Sequence, residues 1–352
     1  MSRIFSSQMV TRRSALMTLV STGAAALAQR LPTVNASDDR NDVLANILPG
    51  LAAESRMKLR TILSSPSFSG QIPARAVQDL AASEHKTVAA LMLALLPLAR
   101  TFSHPPISNY HVGAVAEGAS GSLYLGFNIE FPGHALGFAV HGEQAALSSA
   151  YMHSEAGVSA IAVTAAPCGH CRQFMNELSP DGQIEIFVDQ AAPTKLSALL
   201  PLAFGPKDLG RKDGAFPVKQ TSLTSVARAP LRQAQGRLSP ASDALFQAAL
   251  DGARTAYAPY TGACSGAAIA SRSGRIYKGS YIENVAFNPS LSPLQTALVQ
   301  LLVAGEDYPA VSRVALAEIQ GAKISQKTAT EAVLSAIAPT VHVEFLAAEI
   351  KT

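Results

Sequence analysis

Tryptophan is absent from this 352-residue chain, and aromatic residues make up only 6% of it. So few aromatic side chains provide little material for the stacking platforms that bind single-stranded nucleic acids. The formal net charge of +3 is also too small to indicate a nucleic-acid or membrane-surface binder. Three cysteines cannot form a disulfide framework. What remains, with 48% hydrophobic residues, is a folded globular protein with room for two domains.

The uncharged stretch near the N-terminus, Ala15–Leu27, has only 13 residues and is too short to span a bilayer. It follows the pair Arg12-Arg13 and ends at Ala26-Leu27-Ala28, a small-x-small cleavage pattern. Residues 1–28 therefore predict a signal peptide of the twin-arginine type and an exported, periplasmic protein. Ala15 stands where that signal usually carries Phe, and a cytoplasmic protein with an N-terminal extension is the alternative.

Helical patterns come first in the chain, and alternating strand and helix patterns follow. Residues 29–104 predict an N-terminal helical segment, in which Thr87–Leu98 is apolar on nearly every side and should be buried. The elements predicted for residues 105–205 are strands at 110–117 and 123–128, a helix after His141, a strand at 158–164, a helix at 168–178 and a strand at 183–188. This β-β-α-β-α-β order predicts an α/β fold with a mixed sheet covered by helices.

A repeat relates the two halves of the chain. Residues 206–240 carry seven Lys or Arg against two Asp and predict a solvated linker. Beyond it, Gly266–Glu283 aligns without gaps to Gly113–Glu130, with eight identities in 18 positions. We therefore expect residues 241–352 to be a second copy of the fold.

The second copy has lost the polar residues that stand out in the first. Ser292 occupies the position of His141, Leu294 that of Glu143, and Tyr281 that of Asn128; no Cys-x-x-Cys follows. This degenerate half is expected to fold but to bind no metal of the kind predicted for the first half.

Two short runs carry the chemistry of the first half: His141-Gly142-Glu143 and Pro167-Cys168-Gly169-His170-Cys171. Each is expected to begin a helix, so one His and two Cys arrive together at helix N-termini. Three such ligands with one open position form a catalytic zinc site, and H-x-E…P-C-x-x-C is typical of zinc deaminases acting on nucleobases. Cys264 stands alone and is predicted to be a small buried apolar residue.

Two other roles for these residues remain open. A structural zinc site would need a fourth protein ligand, for which His170 is the available candidate. A redox Cys-x-x-Cys is the second alternative. Neither alternative gives Glu143 a role, and the redox reading does not account for His141 either.

With these runs and the repeat, the chain resembles the homodimeric class of cytidine deaminases over residues 41–350. The most specific run is Pro167–Glu177 (PCGHCRQFMNE), and the supporting runs are Leu96–Ala99, Phe204–Leu209 and Glu283–Pro289. The resemblance implies a helical N-terminal part, a catalytic domain at 105–205 and a zinc-free copy at 241–352. It also implies a homodimer whose active sites lie near the subunit interface.

The activity that the resemblance implies is zinc-dependent hydrolytic deamination of free cytidine and deoxycytidine to uridine and deoxyuridine plus ammonia, a reaction of pyrimidine salvage. His141, Cys168 and Cys171 would hold one Zn²⁺ per chain with a bound water or hydroxide. Glu143 would be the catalytic proton donor and shuttle.

The resemblance also implies the substrate contacts: Asn128, the backbone of Ile129, Glu130 and Tyr110. Asn128 and Glu130 lie two apart on a strand, so their side chains share a face, where they would hold the ribose 3′-hydroxyl. A carboxylate accepts a hydrogen bond from a free hydroxyl but repels a 3′-phosphate, so free nucleosides are expected rather than DNA or RNA. For Glu130 the alternative is a solvated charge at the strand end.

Tyr110 stands where the family has a Phe that stacks on the pyrimidine, and a core aromatic is the alternative. Arg172 could donate to a thiolate or support the dimer interface, and the sequence leaves both open.

Other functions remain open as well. A deaminase of a related free base or modified nucleoside is the nearest. A nucleic-acid-editing protein using the basic linker and an inactive structural relative are the others.

Overall fold

The structure, a computed structural model, describes residues 44, 46–179, 181–189, 191–225 and 240–350. The predicted signal, residues 1–28, lies outside them. The helices are Ala53–Leu63 (α1), Ala74–Ser83 (α2), Val88–Arg100 (α3), Gly142–Met152 (α4), Gly169–Leu178 (α5), Leu196–Leu199 (α6), Pro240–Arg254 (α7), Pro293–Val303 (α8) and Lys327–Ile337 (α9). None of the described helices has the length and apolar character needed to cross a membrane.

The predicted buried helix of the N-terminal segment is confirmed as α3. Its first turn is capped by Thr87, whose hydroxyl oxygen accepts a hydrogen bond from the Ala90 N–H at 3.2 Å. Leu91, Met92 and Leu95 on this helix are fully buried. The helix packs on the first sheet and contributes to the hydrophobic core.

The first sheet has the strand order β1-β3-β2-β4-β5-β6. Its strands are Gln71–Ile72 (β1), Gly113–Gly118 (β2), Leu123–Phe127 (β3), Val158–Val163 (β4), Glu185–Val188 (β5) and Thr194–Lys195 (β6). β2 and β3 are antiparallel and β4 and β5 parallel, so the predicted mixed sheet and its β-β-α-β-α-β order are confirmed. The edge strands β1 and β6 were not predicted, because two residues carry no readable alternation.

The second sheet repeats this plan with the order β7-β11-β10-β8-β9. Its strands are Leu223–Ser225 (β7), Ser265–Ser271 (β8), Ile276–Ser280 (β9), Val311–Ile319 (β10) and Val343–Ile350 (β11). β7 comes from the stretch predicted as a solvated linker, and it pairs with β11. Ala215 and Phe216 of the same stretch are buried, so these residues contribute to the fold.

The duplication extends to hydrogen bonds between side chains. In each half, a serine and a tyrosine of the first hairpin donate to a glutamate that follows the next helix. The groups are Ser120, Tyr124 and Glu155 in the first half and Ser273, Tyr277 and Glu306 in the second. The tyrosine–carboxylate distances are 2.7 and 2.8 Å. Because these residues are far apart in sequence, their repetition supports a common fold more strongly than the aligned segment alone.

A reciprocal pair of hydrogen bonds joins the halves. Gln144 at the start of α4 donates to the Pro289 carbonyl at 3.1 Å, and Gln295 at the start of α8 donates to the Phe138 carbonyl at 2.5 Å. Gln295 is the repeat counterpart of Gln144, and Pro289 is the repeat counterpart of Phe138. The two halves therefore meet in a two-fold arrangement across α4 and α8 and share one hydrophobic core.

A glycine sets the close approach of α4 to its sheet. A Cβ at Gly126 on β3 would lie less than 3.0 Å from the Gly142 carbonyl oxygen and the Ala146 nitrogen. Gly279 has the same relation to α8. Both contacts are with helix backbone, which cannot rotate away as a flexible side chain can.

We expect Gly126→Ala to lower the free energy of unfolding by about 1–3 kcal/mol, because the added methyl would push the start of α4 away from β3. Urea unfolding of the purified protein measures this change. Gly137→Ala is the control, since a Cβ there has no atom within 4 Å. Equal stability of the two variants would contradict the close approach.

Candidate active site

Three predicted ligands meet between the starts of α4 and α5. His141 is the residue before α4, Cys168 is the residue before α5, and Cys171 lies in the first turn of α5. The His141 Nδ1 atom lies 3.4 Å from the Cys168 Sγ and 3.3 Å from the Cys171 Sγ, and the two sulfurs are 3.6 Å apart. The three donor atoms thus form a nearly regular triangle.

This triangle has the dimensions of one face of a zinc coordination sphere. Bonds of about 2.1 Å to nitrogen and 2.3 Å to sulfur in tetrahedral geometry place ligand atoms roughly 3.5–3.8 Å apart. Cys171 is buried and Cys168 is exposed, so the triangle has one side in the core and one side open. One nitrogen and two sulfurs are the donor set that zinc favours.

The pKa values of the two cysteines are shifted in opposite directions. Hydrogen bonds from the Cys171 thiol and then from His141 lower the pKa of Cys168 to about 3. The pKa of Cys171 is raised, because it donates to Cys168 and is buried. The environment of the pair thus favours a thiolate at Cys168, and a zinc ion held here would be bound by both sulfurs as thiolates.

Glu143 lies beside the triangle but is not part of the group whose atoms could hold a metal ion together. Its side chain is only 5% exposed, and burial raises its pKa. Its charge interacts with those of His141 and Cys168, so the carboxyl group lies next to the ligands. A buried carboxyl group at this position can exchange a proton with a molecule bound in the open side of the triangle.

His170 stacks on the His141 ring, with 5.2 Å between the ring centroids. It does not join the three-ligand group, and within the described part of the chain no fourth His, Cys, Asp or Glu does so. The structural-zinc alternative, which needs a fourth protein ligand, is therefore not supported by these residues. His170 instead lies stacked on the ring of a proposed ligand.

A loop next to the site is fastened by Asn128. Its amide oxygen accepts from the Val112 N–H and its amide nitrogen donates to the Tyr110 carbonyl, both at 2.9 Å. Tyr110 itself is 59% exposed. This exposure rules out the alternative of a core aromatic and leaves the ring available for a ligand.

Glu130 is held by the same loop. One carboxylate oxygen accepts from the Ile107 and Ser108 N–H groups, both at 2.9 Å, and the other accepts from the Ser108 hydroxyl at 2.6 Å. Burial alone would raise the pKa of Glu130, but these hydrogen bonds outweigh it and the pKa is lowered. Glu130 is thus an ionised, oriented group rather than a freely solvated charge.

The backbone of Ile129 is largely occupied. Its N–H donates to the Val140 carbonyl at 2.8 Å, and its carbonyl accepts from the Val140 N–H at 2.9 Å. Only the second lone pair of the carbonyl oxygen remains for a substrate. The prediction of a backbone contact at Ile129 is therefore restricted to that carbonyl.

The hydrogen bonds that the structure gives Arg172 within the chain are with backbone carbonyls and not with a thiolate. Its guanidinium donates to the Pro167 carbonyl at 2.8 Å and to the Leu199 carbonyl at 3.0 Å. It thereby ties the turn before Cys168 to α6. Cys264 is 8% exposed, as predicted for a buried apolar residue.

The support of Glu130 by Ile107 and Ser108 was missed at the level of sequence. The repeat contained a signal for it, because Glu283 accepts from the Tyr260 and Thr261 N–H groups at 2.7 and 3.2 Å. These are the repeat counterparts of Ile107 and Ser108. The second half has thus kept this cradle, in which two consecutive loop N–H groups hold one carboxylate oxygen. Ser292, at the position of His141, caps α8.

Comparison with known proteins gives a consistent result. Residues 85–184 and residues 196–331 each match a family described as the cytidine and deoxycytidylate deaminase zinc-binding region. A cytidine deaminase of Vibrio vulnificus is 41% identical over 288 residues, which cover 82% of this chain and 93% of that protein. One from Aliivibrio fischeri is 39% identical over 304 residues, covering 86% and 96%.

Among solved structures, a cytidine deaminase from Burkholderia pseudomallei is 31% identical. It covers 33% of this chain and 98% of its own, with a TM-score of 0.30.

We expect the purified protein to contain one zinc ion per chain and Cys168→Ala to lose it, because two remaining donors cannot complete the site. Metal analysis after gel filtration measures the content. Cys264→Ala is the matched control, since it removes the third cysteine and should keep the zinc. Zinc retained at one per chain in Cys168→Ala would exclude this ligand set.

Proposed function

This chain belongs to the cytidine deaminase family, and from that premise we propose that it converts free cytidine and deoxycytidine to uridine and deoxyuridine, releasing ammonia. The observation that carries the proposal is the triangle of His141, Cys168 and Cys171 with the buried carboxyl group of Glu143 beside it. Deamination of a related free base or a modified nucleoside is the alternative.

The residues divide the reaction between them. When bound, zinc supplies a Lewis acid that makes water a nucleophile near neutral pH. Glu143 accepts the proton released as the C4–O bond forms, delivers it to ring N3, and assists the amino group to leave as ammonia when the C4–N bond breaks. Because Glu143 is buried beside the ligands, it can carry the proton between these atoms within the site.

The remaining hydrogen-bonding capacity of Asn128 and Glu130 fits one free hydroxyl group. The Glu130 oxygen that accepts two N–H groups is full, and the other has one lone pair left. Asn128 keeps one N–H and one lone pair. A ribose 3′-hydroxyl can donate to Glu130 and accept from Asn128, whereas an ionised carboxylate repels a 3′-phosphate. Tyr110 is the proposed stacking partner of the pyrimidine.

A homodimer is the proposed assembly. Leu202 and Leu136 are 96% and 73% exposed, and Phe204 and Leu209 are about half exposed. Phe204 lies next to α5, since its carbonyl accepts a hydrogen bond from the Gln173 side chain on that helix. Exposed apolar residues of this kind suit an interface with a second copy. Sedimentation velocity determines whether the chain is a dimer.

The cellular location is proposed from the sequence alone. Residues 1–28 favour export, and a cytoplasmic location is the alternative. N-terminal sequencing of the mature protein distinguishes the two.

We expect Glu143→Ala to keep its zinc but to lose about 10²–10⁴ in kcat, the usual scale for removing a general acid–base group. Ammonia release from cytidine and metal content are measured on the same preparation. Glu155→Ala is the control, because Glu155 is also buried but lies outside the site. Near-normal turnover by zinc-loaded Glu143→Ala would refute the assigned role.

Cytidine and deoxycytidine should both be substrates, while cytidine 3′-monophosphate should have a kcat/KM lower by at least ~10²-fold, since the phosphate meets an ionised carboxylate and leaves polar groups unpaired. Glu130→Gln should reduce the difference in kcat/KM between cytidine and its 3′-monophosphate, chiefly by raising KM for cytidine. Steady-state kinetics with these substrates, cytosine and guanine test the prediction. A clear preference for either free base would support the alternative function.

A further inference from the structure

A fully buried carboxylate links α5, the helix at whose start Cys168 and Cys171 lie, to the degenerate second half. Glu177, on the last turn of α5, has no exposed surface. One oxygen accepts from the Tyr257 and Tyr260 hydroxyls at 2.7 and 2.6 Å, and the other accepts from the Val285 N–H at 2.8 Å. All three donors belong to the second half of the chain.

These three hydrogen bonds are what keeps the carboxylate in place. Among the described residues, none forms an ion pair with Glu177. The pKa of Glu177 is raised by burial and by the nearby Glu283 carboxylate, and the hydrogen bonds from Tyr260, Val285 and Tyr257 oppose that rise. A buried carboxylate without a cation is stable only where its lone pairs are filled, so the geometry of these donors is demanding.

The helix that Glu177 anchors is the one that carries two metal ligands. Cys171 precedes Glu177 by six residues, which places them roughly 9 Å apart along the helix axis. A second contact from the same half lies between them, because the Asn284 side chain donates to the Gln173 carbonyl at 3.1 Å. A helix held at this end transmits its position to the sulfurs at its start.

The loop that carries Tyr257 and Tyr260 is the repeat counterpart of the first-half loop whose N–H groups hold Glu130. Tyr257 and Tyr260 correspond in the repeat to His104 and Ile107. The cradle of Glu283 holds this loop through the Tyr260 and Thr261 N–H groups, as Glu130 holds its own. The second half has therefore kept the loop and its cradle, and the loop now contacts a side chain of the first half.

We propose that Glu177 is a positioning residue for the zinc site, through which the degenerate half holds α5 where Cys168 and Cys171 can share the metal with His141. The proposal rests on the zinc site proposed above. It assigns the second half a role in metal retention rather than in folding alone.

The test compares the rate of zinc release from variants of the holoenzyme. In Glu177→Gln an amide NH2 group replaces one of the two accepting oxygens, so the Val285 N–H or the two tyrosine hydroxyls lose their acceptor on this side chain. The double change Tyr257→Phe/Tyr260→Phe removes two donors without altering α5. Transfer of zinc to a chromogenic chelator is followed well below the unfolding temperature of each variant.

Glu155→Gln is the matched control. Glu155 is likewise buried and accepts from two hydroxyls and one backbone N–H, but these belong to Ser120 and Tyr124 in its own half. Both Glu→Gln changes should lower the unfolding temperature.

Only Glu177→Gln and the double tyrosine variant should release zinc faster, by about 10-fold, the lower end of the effect of removing a supporting partner of a metal ligand. Their kcat for cytidine should fall as well.

The outcomes separate the two proposals. Zinc release at the wild-type rate from Glu177→Gln, or equally fast release from Glu155→Gln, would overturn the positioning role while leaving the proposed function intact. Absence of zinc from the wild-type protein would instead overturn the proposed function. If Glu177→Gln does not fold, Tyr260→Phe alone decides: release faster than wild type supports the role, and an unchanged rate contradicts it.

Discussion

Everything in this site depends on one geometric constraint: three donor atoms from two separate helix starts must lie within 3.3–3.6 Å of one another. Neither helix satisfies it alone. α4 is set by its close approach to β3 at Gly126, which brings His141 to its position. α5 follows β4 and is held at its far end by Glu177. The metal site is the point at which two independently supported elements meet.

Carboxylates held by hydroxyl and backbone N–H donors recur in both halves of the described chain. Glu130, Glu155, Glu177 and Glu283 each accept hydrogen bonds from hydroxyl or backbone N–H groups. An N–H or hydroxyl donor fixes the direction of a carboxylate oxygen, whereas a lysine ammonium would tolerate many directions. The same arrangement occurs in both halves of the duplicated fold. Loss of the chemistry from the second half thus left its supporting hydrogen bonds in place.

The limits of prediction from sequence follow from the range of the interactions involved. Helices α3, α4 and α5 could be predicted because apolar periodicity and capping signals lie within a few residues. The strand β7 and the buried Phe216 could not, because the surrounding basic residues mask a short apolar signal. The contacts of Ile129 and Arg172 are with backbone groups, which have no sequence signature. The partners of Glu177 lie 80 or more residues away.

The sequence by itself determined the proposed ligand set, the acidic residue beside it, the α/β class and the duplication, because each depends on residue types at short, fixed spacings. The tertiary structure alone decided how the ligands come together, which lone pairs of Glu130 and Asn128 stay free, and what the degenerate half contributes. Those properties depend on distances between segments remote in the chain. Such distances are fixed only when the whole core has packed.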